Sequence, residues 1–340
     1  SSLNLSGLGD VANNLVTVKL GADGAARFFT LRPAHVVVDL VGVYRPAGGR
    51  TRRGRFEPLG GLGGNGPAAR RIFGPDVRVP GDGDVVDVDV TGLIDAGLIE
   101  ADAEAIVANL TVAWPTRSGF ASAYPFGEAR PATSSLNYPS GSVRAANAFV
   151  RLGTHGGTGR RGFHVYLLRG ARLYIDVTGY ITGSGSRFNT TAGQFVGIAP
   201  RRLLDTRSAN ASMRGVGGGK RLWPGWTRAF DMPSAYRSDA GTAVLNVTAA
   251  RTMGRGFFSV NAAQTRVGDP TTSNLNASGP NETIANHVVS RISSSGLEVF
   301  SSKGGDVIAD LVGYYKGASA GATRSVPPDP PPPSIAPPYW

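Results

Sequence analysis

Residues 307–315 (Val-Ile-Ala-Asp-Leu-Val-Gly-Tyr-Tyr) decide the fold, because related stretches occur twice upstream. Residues 36–42 read Val-Val-Val-Asp-Leu-Val-Gly, and residues 173–180 read Leu-Tyr-Ile-Asp-Val-Thr-Gly-Tyr. The shared aspartates lie 137 and 134 residues apart and are Asp39, Asp176 and Asp310. A landmark that recurs at this spacing indicates internal repeats, each long enough to form a small domain.

Two further landmarks precede each aspartate in the same order. The first is a Ser/Asn-Leu-Asn triplet and the second is an Ala-Asn pair, and their asparagines are Asn4 and Asn13, Asn137 and Asn147, and Asn276 and Asn286. An asparagine carries both hydrogen-bond donors and acceptors, so we expect these side chains to brace a loop against a neighbouring strand within each copy. We expect the repeated aspartates to accept N–H groups and so pin the end of each copy.

The upstream part of the repeat occurs only twice. Residues 108–112 (Ala-Asn-Leu-Thr-Val) match residues 244–248 (Val-Leu-Asn-Val-Thr), and the first copy has no counterpart. A segment that short cannot bury a core alone, so another chain or fragment must supply the missing strands. The predicted organisation is an incomplete module over 1–44, a second module over 56–182, a third over 195–316 and a Pro-rich extended tail over 317–340.

Each module has the pattern of an all-β protein. Short apolar runs rich in β-branched and aromatic residues alternate with Gly, Pro, Asn and Ser clusters. This pattern favours tandem antiparallel β-sandwich modules of a jelly-roll-like kind, with β-barrel or trefoil-like modules as the alternative. The one helix-like stretch, residues 93–106, is expected on a surface loop, and Gly/Ser/Arg-rich linkers are expected at 45–55 and 182–194.

These motifs resemble a known repeat. Residues 202–207 (Arg-Leu-Leu-Asp-Thr-Arg), residues 245–248 (Leu-Asn-Val-Thr) and the landmarks above are similar to a module of exported proteins of high-GC Gram-positive bacteria. The resemblance reaches residue 316 and is weakest in the second module, where residues 70–75 (Arg-Arg-Ile-Phe-Gly-Pro) replace the opening motif. It implies an extracellular or cell-surface location, and modules of this kind occur in tandem or appended to cell-wall enzymes.

The composition excludes several classes of protein. The 340 residues include no Cys, which excludes a disulfide scaffold and a zinc-thiolate site. No apolar run reaches the ~18 residues of a membrane span, so no membrane span is expected. The net charge of +11 is spread over scattered arginine pairs rather than one element, so no nucleic-acid partner is predicted. The chain starts at Ser1 without a Met or an export signal, which suggests a processed product.

The sequence offers little for catalysis. It has no nucleophile elbow, zinc-protease helix motif or phosphate-binding loop, and its four histidines fall at unmatched positions of the repeats. The acidic residues 82–89 could bind a hard cation, but they lack the spacing of a calcium loop and are interpreted as a solvated strand face. We therefore predict no enzyme activity, no catalytic residues, no cofactor and no metal site.

The predicted function is that of a structural subunit of an extracellular or cell-surface assembly or filament. Its partners would be other copies of itself or an upstream fragment of the same precursor. The tail residues predicted to make inter-subunit contacts are Pro327, Pro328, Pro330, Pro331, Pro332, Pro333, Ile335, Tyr339 and Trp340. The alternative is a module that binds a carbohydrate or an anionic cell-wall polymer. Its sugar-stacking platform would comprise Trp114, Trp223, Trp226, Tyr124 and Phe126.

Overall fold

The computed structural model of the protein describes residues 2–5, 7–59, 69–207, 220–265 and 268–318. Over those ranges it contains eighteen β-strands in four antiparallel sheets and two short helices. The all-β prediction is confirmed.

The second module is a two-sheet sandwich that contains ten strands and one helix. They are β1 (Phe56–Pro58), β2 (Arg70–Phe73), β3 (Val85–Asp89), α1 (Thr91–Asp95), β4 (Ala105–Ala113), β5 (Gly119–Pro125), β6 (Leu136–Tyr138), β7 (Val143–Arg151), β8 (Gly153–Thr154), β9 (Arg161–Leu167) and β10 (Arg172–Ile181). One sheet has the order β1-β10-β4-β7 with β2 also on β10, and the other has the order β3-β9-β5-β6 with β8 also on β9.

The third module repeats this architecture with eight strands and one helix. They are β11 (Phe195–Asp205), β12 (Thr227–Phe230), α2 (Ser234–Arg237), β13 (Ala240–Ala250), β14 (Gly256–Ala262), β15 (Leu275–Ala277), β16 (Ile284–Arg291), β17 (Leu297–Ser301) and β18 (Asp306–Lys316). Its sheets have the orders β11-β18-β13-β16 and β12-β17-β14-β15. Numbered within the module, these orders are 1-8-3-6 and 2-7-4-5, which is the strand arrangement of a jelly roll.

Each module has its own apolar core between its two sheets. In β3, Val86 and Val88 point into the core while Asp87 faces solvent, as strand alternation requires. Strand β4 is buried on both faces, because Ile106 joins the core of the second module and Val107 joins a separate cluster with residues of the third. The two sandwiches therefore pack against each other through the outer faces of the sheets β1-β10-β4-β7 and β11-β18-β13-β16.

The structure corrects several details of the sequence analysis. The barrel and trefoil-like alternative is wrong, because no sheet in the described residues closes on itself. Only residues 93–95 of the helix-like stretch are helical, at the end of α1, and the buried Leu93, Leu98 and Ile99 belong to the core rather than to a surface loop.

The two predicted linkers pack against each other instead of spanning open space. Arg55 is fully buried, and its guanidinium donates hydrogen bonds to Glu57, to the Ser186 hydroxyl and to the backbone carbonyls of Phe188 and Ala192. These four bonds satisfy donors on Nη1 and Nη2, while Nε is buried without a partner. Because a buried guanidinium needs such partners, this cluster holds the two linker segments together.

Candidate functional site

The described part of residues 2–44 has no assigned strand or helix, unlike the matching parts of the other two copies. Its apolar side chains lie in solvent, with Phe29 88% exposed, Val37 85% and Leu40 83%. Exposed apolar side chains in such number are unusual on a folded protein surface, and large patches of this kind commonly mark interaction sites. We call residues 2–44 the open half.

The jelly-roll strand order explains why the open half forms no sheet. The third module divides into an opening half, strands β11–β14, and a closing half, strands β15–β18, to which the open half corresponds. In the closing half, β16 and β18 are separated by β13, and β15 and β17 are separated by β14. A closing half on its own therefore has no neighbouring strands to pair with each other, whatever its β propensity.

The repeated aspartates show what the open half lacks. Asp176 accepts two hydrogen bonds from Arg71 of β2, at 2.9 and 3.0 Å, and Asp310 accepts two from Arg202 of β11, at 2.8 and 3.2 Å. Both arginines stand directly opposite their aspartates across an antiparallel strand pair. Asp39 is exposed, and no described residue forms a hydrogen bond or an ion pair with it.

Sequence comparison missed the Arg71 bridge, because residues 70–75 differ from the opening motif of the third module. The strand register nevertheless aligns Arg71 with Arg202. Burial raises the pKa of Asp176, and the Arg71 guanidinium opposes that rise. The signal that could have revealed the bridge is the arginine pair that begins both segments, Arg70-Arg71 and Arg201-Arg202.

The glycine that follows each aspartate has a packing role in the complete modules. A Cβ on Gly179 would fall within 3.0 Å of the Phe56 ring, and a Cβ on Gly313 would fall within 3.0 Å of the Phe195 ring. A phenylalanine of the opening half therefore lies over this position in both copies. Gly42, the corresponding residue of the open half, has no atom of another residue within 4 Å of its Cβ position.

The brace in the first copy is made by Asn14, not by Asn13 as the Ala-Asn motif predicted. The Asn14 side chain donates a 2.6 Å hydrogen bond to the carbonyl of Ser2, twelve residues earlier. Asn286 donates an equivalent 2.6 Å bond to the carbonyl of Asn274, also twelve residues earlier. Asn14 is therefore the counterpart of Asn286, and its distance of twelve residues from the start of the triplet identifies it.

Asn13 instead joins the open half to the second module. Its amide donates to the Ser135 carbonyl at 2.8 Å and accepts from the Asn137 backbone N–H at 2.7 Å. The predicted internal brace is thus an inter-copy clamp. Because it binds the triplet of the second module through the backbone, it does not depend on the side chains of that triplet.

The three copies contact one another with matching hydrogen bonds. The Asn14 amide donates to Asn246 Oδ1 at 2.9 Å, which joins the first copy to the third. The Asn286 amide donates to Asn109 Oδ1 at 2.9 Å, which joins the third copy to the second. Asn109 and Asn246 each lie opposite the repeated aspartate of their module, so the two contacts are equivalent.

The equivalent donor of the second copy is Asn147, and no described residue accepts a hydrogen bond from its Nδ2. Its backbone N–H donates to Asn286 and its Oδ1 lies 3.2 Å from His287 Nδ1. The matching acceptor would belong to the opening half of the first copy. The ring of contacts is therefore open at one place.

Equivalent residues of all three copies surround a cavity of about 50 Å³. Its lining includes the triplet leucines and asparagines, Leu3 with Asn4, Leu136 with Asn137, and Leu275 with Asn276, and also Asn13 and Asn286. The Nδ2 atom of Asn276 is buried without a hydrogen-bond partner, while its Oδ1 accepts from Ser273. This volume accommodates a molecule no larger than a water or two.

Two further contacts hold the open half to the third module. The Tyr44 ring stacks on Phe195 with ring centroids 4.2 Å apart, and its hydroxyl bonds to that of Tyr315. Burial raises the pKa of Tyr315 well above its usual value, so both hydroxyls stay protonated near neutral pH. Tyr44 thereby anchors the end of the open half.

His287 lies where the three copies meet and is buried. Its backbone N–H donates to Asn14 Oδ1 at 2.8 Å, and its ring nitrogens lie 3.1 Å from Thr17 Oγ1 and 3.2 Å from Asn147 Oδ1. Burial lowers the pKa of His287 to about 4, so the imidazole is neutral at physiological pH. A neutral imidazole held by an amide and a hydroxyl is a packing element here.

The other candidates lie outside this site. Asp82 binds Arg117, Arg169 and the Gly170 N–H, and Asp87 lies 2.8 Å from the His164 ring. No group of three or more potential metal ligands is found in the described part of the chain. These carboxylates are therefore occupied by basic partners.

The proposed aromatic platform is dispersed. Tyr124 and Phe126 are buried beside His164, and Trp114 lies in the second module under the Arg172 guanidinium. Trp223 and Trp226 lie in the third module, each 52% exposed, on one turn closed by a 3.0 Å backbone hydrogen bond. Only this tryptophan pair remains as a candidate sugar-binding surface.

The predicted tail contacts, Pro327 to Trp340, lie outside the described residues. Neither helix in the described ranges is long and apolar enough to cross a membrane. No protein-family model, curated protein or solved structure matches the chain. The resemblance to a bacterial surface module therefore stays a prediction.

Proposed function

We propose that this protein is a non-enzymatic structural subunit of an extracellular or cell-surface assembly or filament. It would join its neighbours through the open half and through the Pro-rich tail, residues 317–340. One observation carries the proposal: the open half presents apolar side chains and unpaired strand segments while it is clamped firmly to two complete modules.

An unpaired strand is a template for another polypeptide. Backbone N–H and C=O groups without partners pair readily with an added strand, and burial of the apolar side chains contributes the driving force. Because Asn13, Asn14 and Tyr44 fix the two ends of the open half, part of its conformational entropy is already lost before binding. Such a preorganised surface suits stable assembly better than transient signalling.

The experiment is the mass distribution of the natural material, measured by light scattering and electron microscopy. The full chain is compared with a chain that ends at Lys316 and a chain that starts at Arg45, all expressed in the source organism. We expect large assemblies for the full chain and single-chain masses for both shortened chains. Single-chain mass for all three would overturn the proposal, provided that circular dichroism shows the same β content.

The second candidate function, binding of a carbohydrate or wall polymer, is favoured by the exposed pair Trp223 and Trp226. Sugars stack on flat aromatic faces, and both rings are half exposed on one turn. The double variant Trp223→Ala/Trp226→Ala should then abolish retention on a cell-wall polysaccharide column while leaving the mass distribution unchanged. Unchanged retention would remove this candidate.

A further inference from the structure

We propose that the open half binds one particular kind of partner: an opening half-module of this same jelly-roll type, supplied from outside residues 1–340. This inference deepens the proposed function and rests on it in one respect, since both treat residues 2–44 as an interaction surface. The partner would add four strands that interleave with the open half, in the positions that β11–β14 occupy in the third module.

The strand order limits which partners fit. A single added strand or a short peptide can pair only one edge of a jelly-roll half, but the closing half to which the open half corresponds has four strands that each need neighbours. The opening half of a complete module supplies four strands in alternating positions. We infer that the partner must interleave rather than add to one edge.

Asp39 specifies a basic residue on that partner. In both complete modules the corresponding aspartate is bridged by an arginine directly opposite it, on β2 in the second module and on β11 in the third. The partner is therefore expected to place an arginine opposite Asp39, where planar two-point recognition of a carboxylate is possible.

Gly42 specifies an aromatic residue. Phe56 covers Gly179, and Phe195 covers Gly313, so closely that a Cβ would collide with the ring. The space over Gly42 is open. An aromatic ring on the first strand of the partner would fill it and would stand near Tyr44.

Asn147 specifies a hydrogen-bond acceptor on the partner. The two matching inter-copy contacts run from Asn14 to Asn246 and from Asn286 to Asn109. The acceptors, Asn109 on β4 and Asn246 on β13, each lie directly opposite the repeated aspartate of their module. An asparagine at this place in the partner would accept from Asn147 Nδ2 and close the ring.

Two other occupants fit less well. A second copy of this chain has two opening halves, and in the described residues both are already paired with their own closing halves. The tail segment 319–340 contains eight prolines, which lack the N–H group that a sheet ladder needs. An opening half supplied from outside residues 1–340 remains.

The test uses the full chain with a copied opening half attached. Residues 195–273 are fused directly before Ser2, so that they precede the Ser-Leu-Asn triplet as they precede Asn274 in the third module. Hydrogen exchange of residues 36–44 is then measured by mass spectrometry, with residues 173–181 and 306–315 as internal references for folding. The matched control carries Phe195→Ala and Arg202→Ala in the attached copy only.

We expect exchange of residues 36–44 to slow at least tenfold in the fused chain at single-chain mass, and to slow much less in the control. Equal exchange in the fused and parent chains, with the reference segments protected, would overturn the inference. Equal protection of residues 36–44 in the fused chain and in its control would also overturn it. Concentration-dependent protection in the parent chain alone would overturn it as well, because it would identify a second copy as the occupant. If residues 36–44 are protected in the fused chain but the natural full chain shows only single-chain mass, this inference stands and the proposed function is wrong.

Discussion

At the residue scale, a few polar side chains position the open half. Asn13, Asn14 and Thr17 bind the other two copies through amide and hydroxyl groups, and these bonds are short and partly buried. The role of Asn14 was not predicted from the sequence, because the repeated Ala-Asn pair indicates Asn13 instead. Only the hydrogen bond to Ser2 shows that its spacing from the triplet is the property that the copies share.

His287 gives this contact a dependence on pH. Because burial lowers its folded pKa to about 4 from an ordinary value near 6.5, the unfolded chain binds a proton that the folded chain excludes. This proton uptake does not affect stability above the unfolded pKa of about 6.5. As the pH falls from about 6.5 towards 4, it progressively lowers the free energy of unfolding. We expect this residue to cost about 2 kcal/mol in the free energy of unfolding between pH 8 and pH 5.

Urea unfolding of the wild type and of His287→Gln at the two pH values checks this expectation. The variant retains a hydrogen-bonding side chain but cannot take up the proton, so its loss between pH 8 and pH 5 should be about 2 kcal/mol smaller. Equal losses in the two proteins would contradict the assignment.

At the element scale, the order of strands decides which segments can fold alone. The repeats, their β character and the incomplete first copy could be predicted from recurring residues such as Asp39, Asp176 and Asp310. The spacing from the preceding phenylalanine does not indicate that Arg71 and Arg202 are equivalent, because Phe56 precedes Arg71 by 15 residues whereas Phe195 precedes Arg202 by 7. Only the arginine pair at the start of each segment points to it. Strand pairing realigns the two arginines, and no fixed sequence spacing records that alignment.

The three aspartates provide matched probes of strand pairing. Asp176→Asn should lower the free energy of unfolding by about 3 kcal/mol, since it leaves the largely buried Arg71 guanidinium without its charged partner. Asp39→Asn should change stability by less than about 0.5 kcal/mol, because the carboxylate is exposed and unpaired.

Chemical denaturation of the two variants beside the wild type measures both quantities. The Asp39→Asn variant serves as the control, because it makes the same change at the matching position of the repeat. A loss at Asp39 as large as that at Asp176 would show that Asp39 already has a partner in the free chain, which would contradict the description of the open half.

At the scale of the whole molecule, two complete sandwiches share an apolar contact and together clamp a third, incomplete copy. The contact between the sandwiches includes Phe56, Val107, Val244 and Tyr315, so it joins the sheet β1-β10-β4-β7 to the sheet β11-β18-β13-β16. The sequence could not predict this arrangement, because outward-facing apolar residues of a sheet do not indicate which surface they will meet. The open half is held to them at its two ends, while the backbone of residues 36–44 stays unpaired.

Hydrogen exchange of the unmodified chain, at a concentration where it is a single chain, tests this account most directly. The three equivalent segments are residues 36–44, 173–181 and 306–315, and each is followed by mass spectrometry in one experiment. We predict that residues 36–44 exchange at least a hundredfold faster than the other two segments, because only they lack strand partners on both sides. Equal protection of all three segments in the single chain would contradict the account.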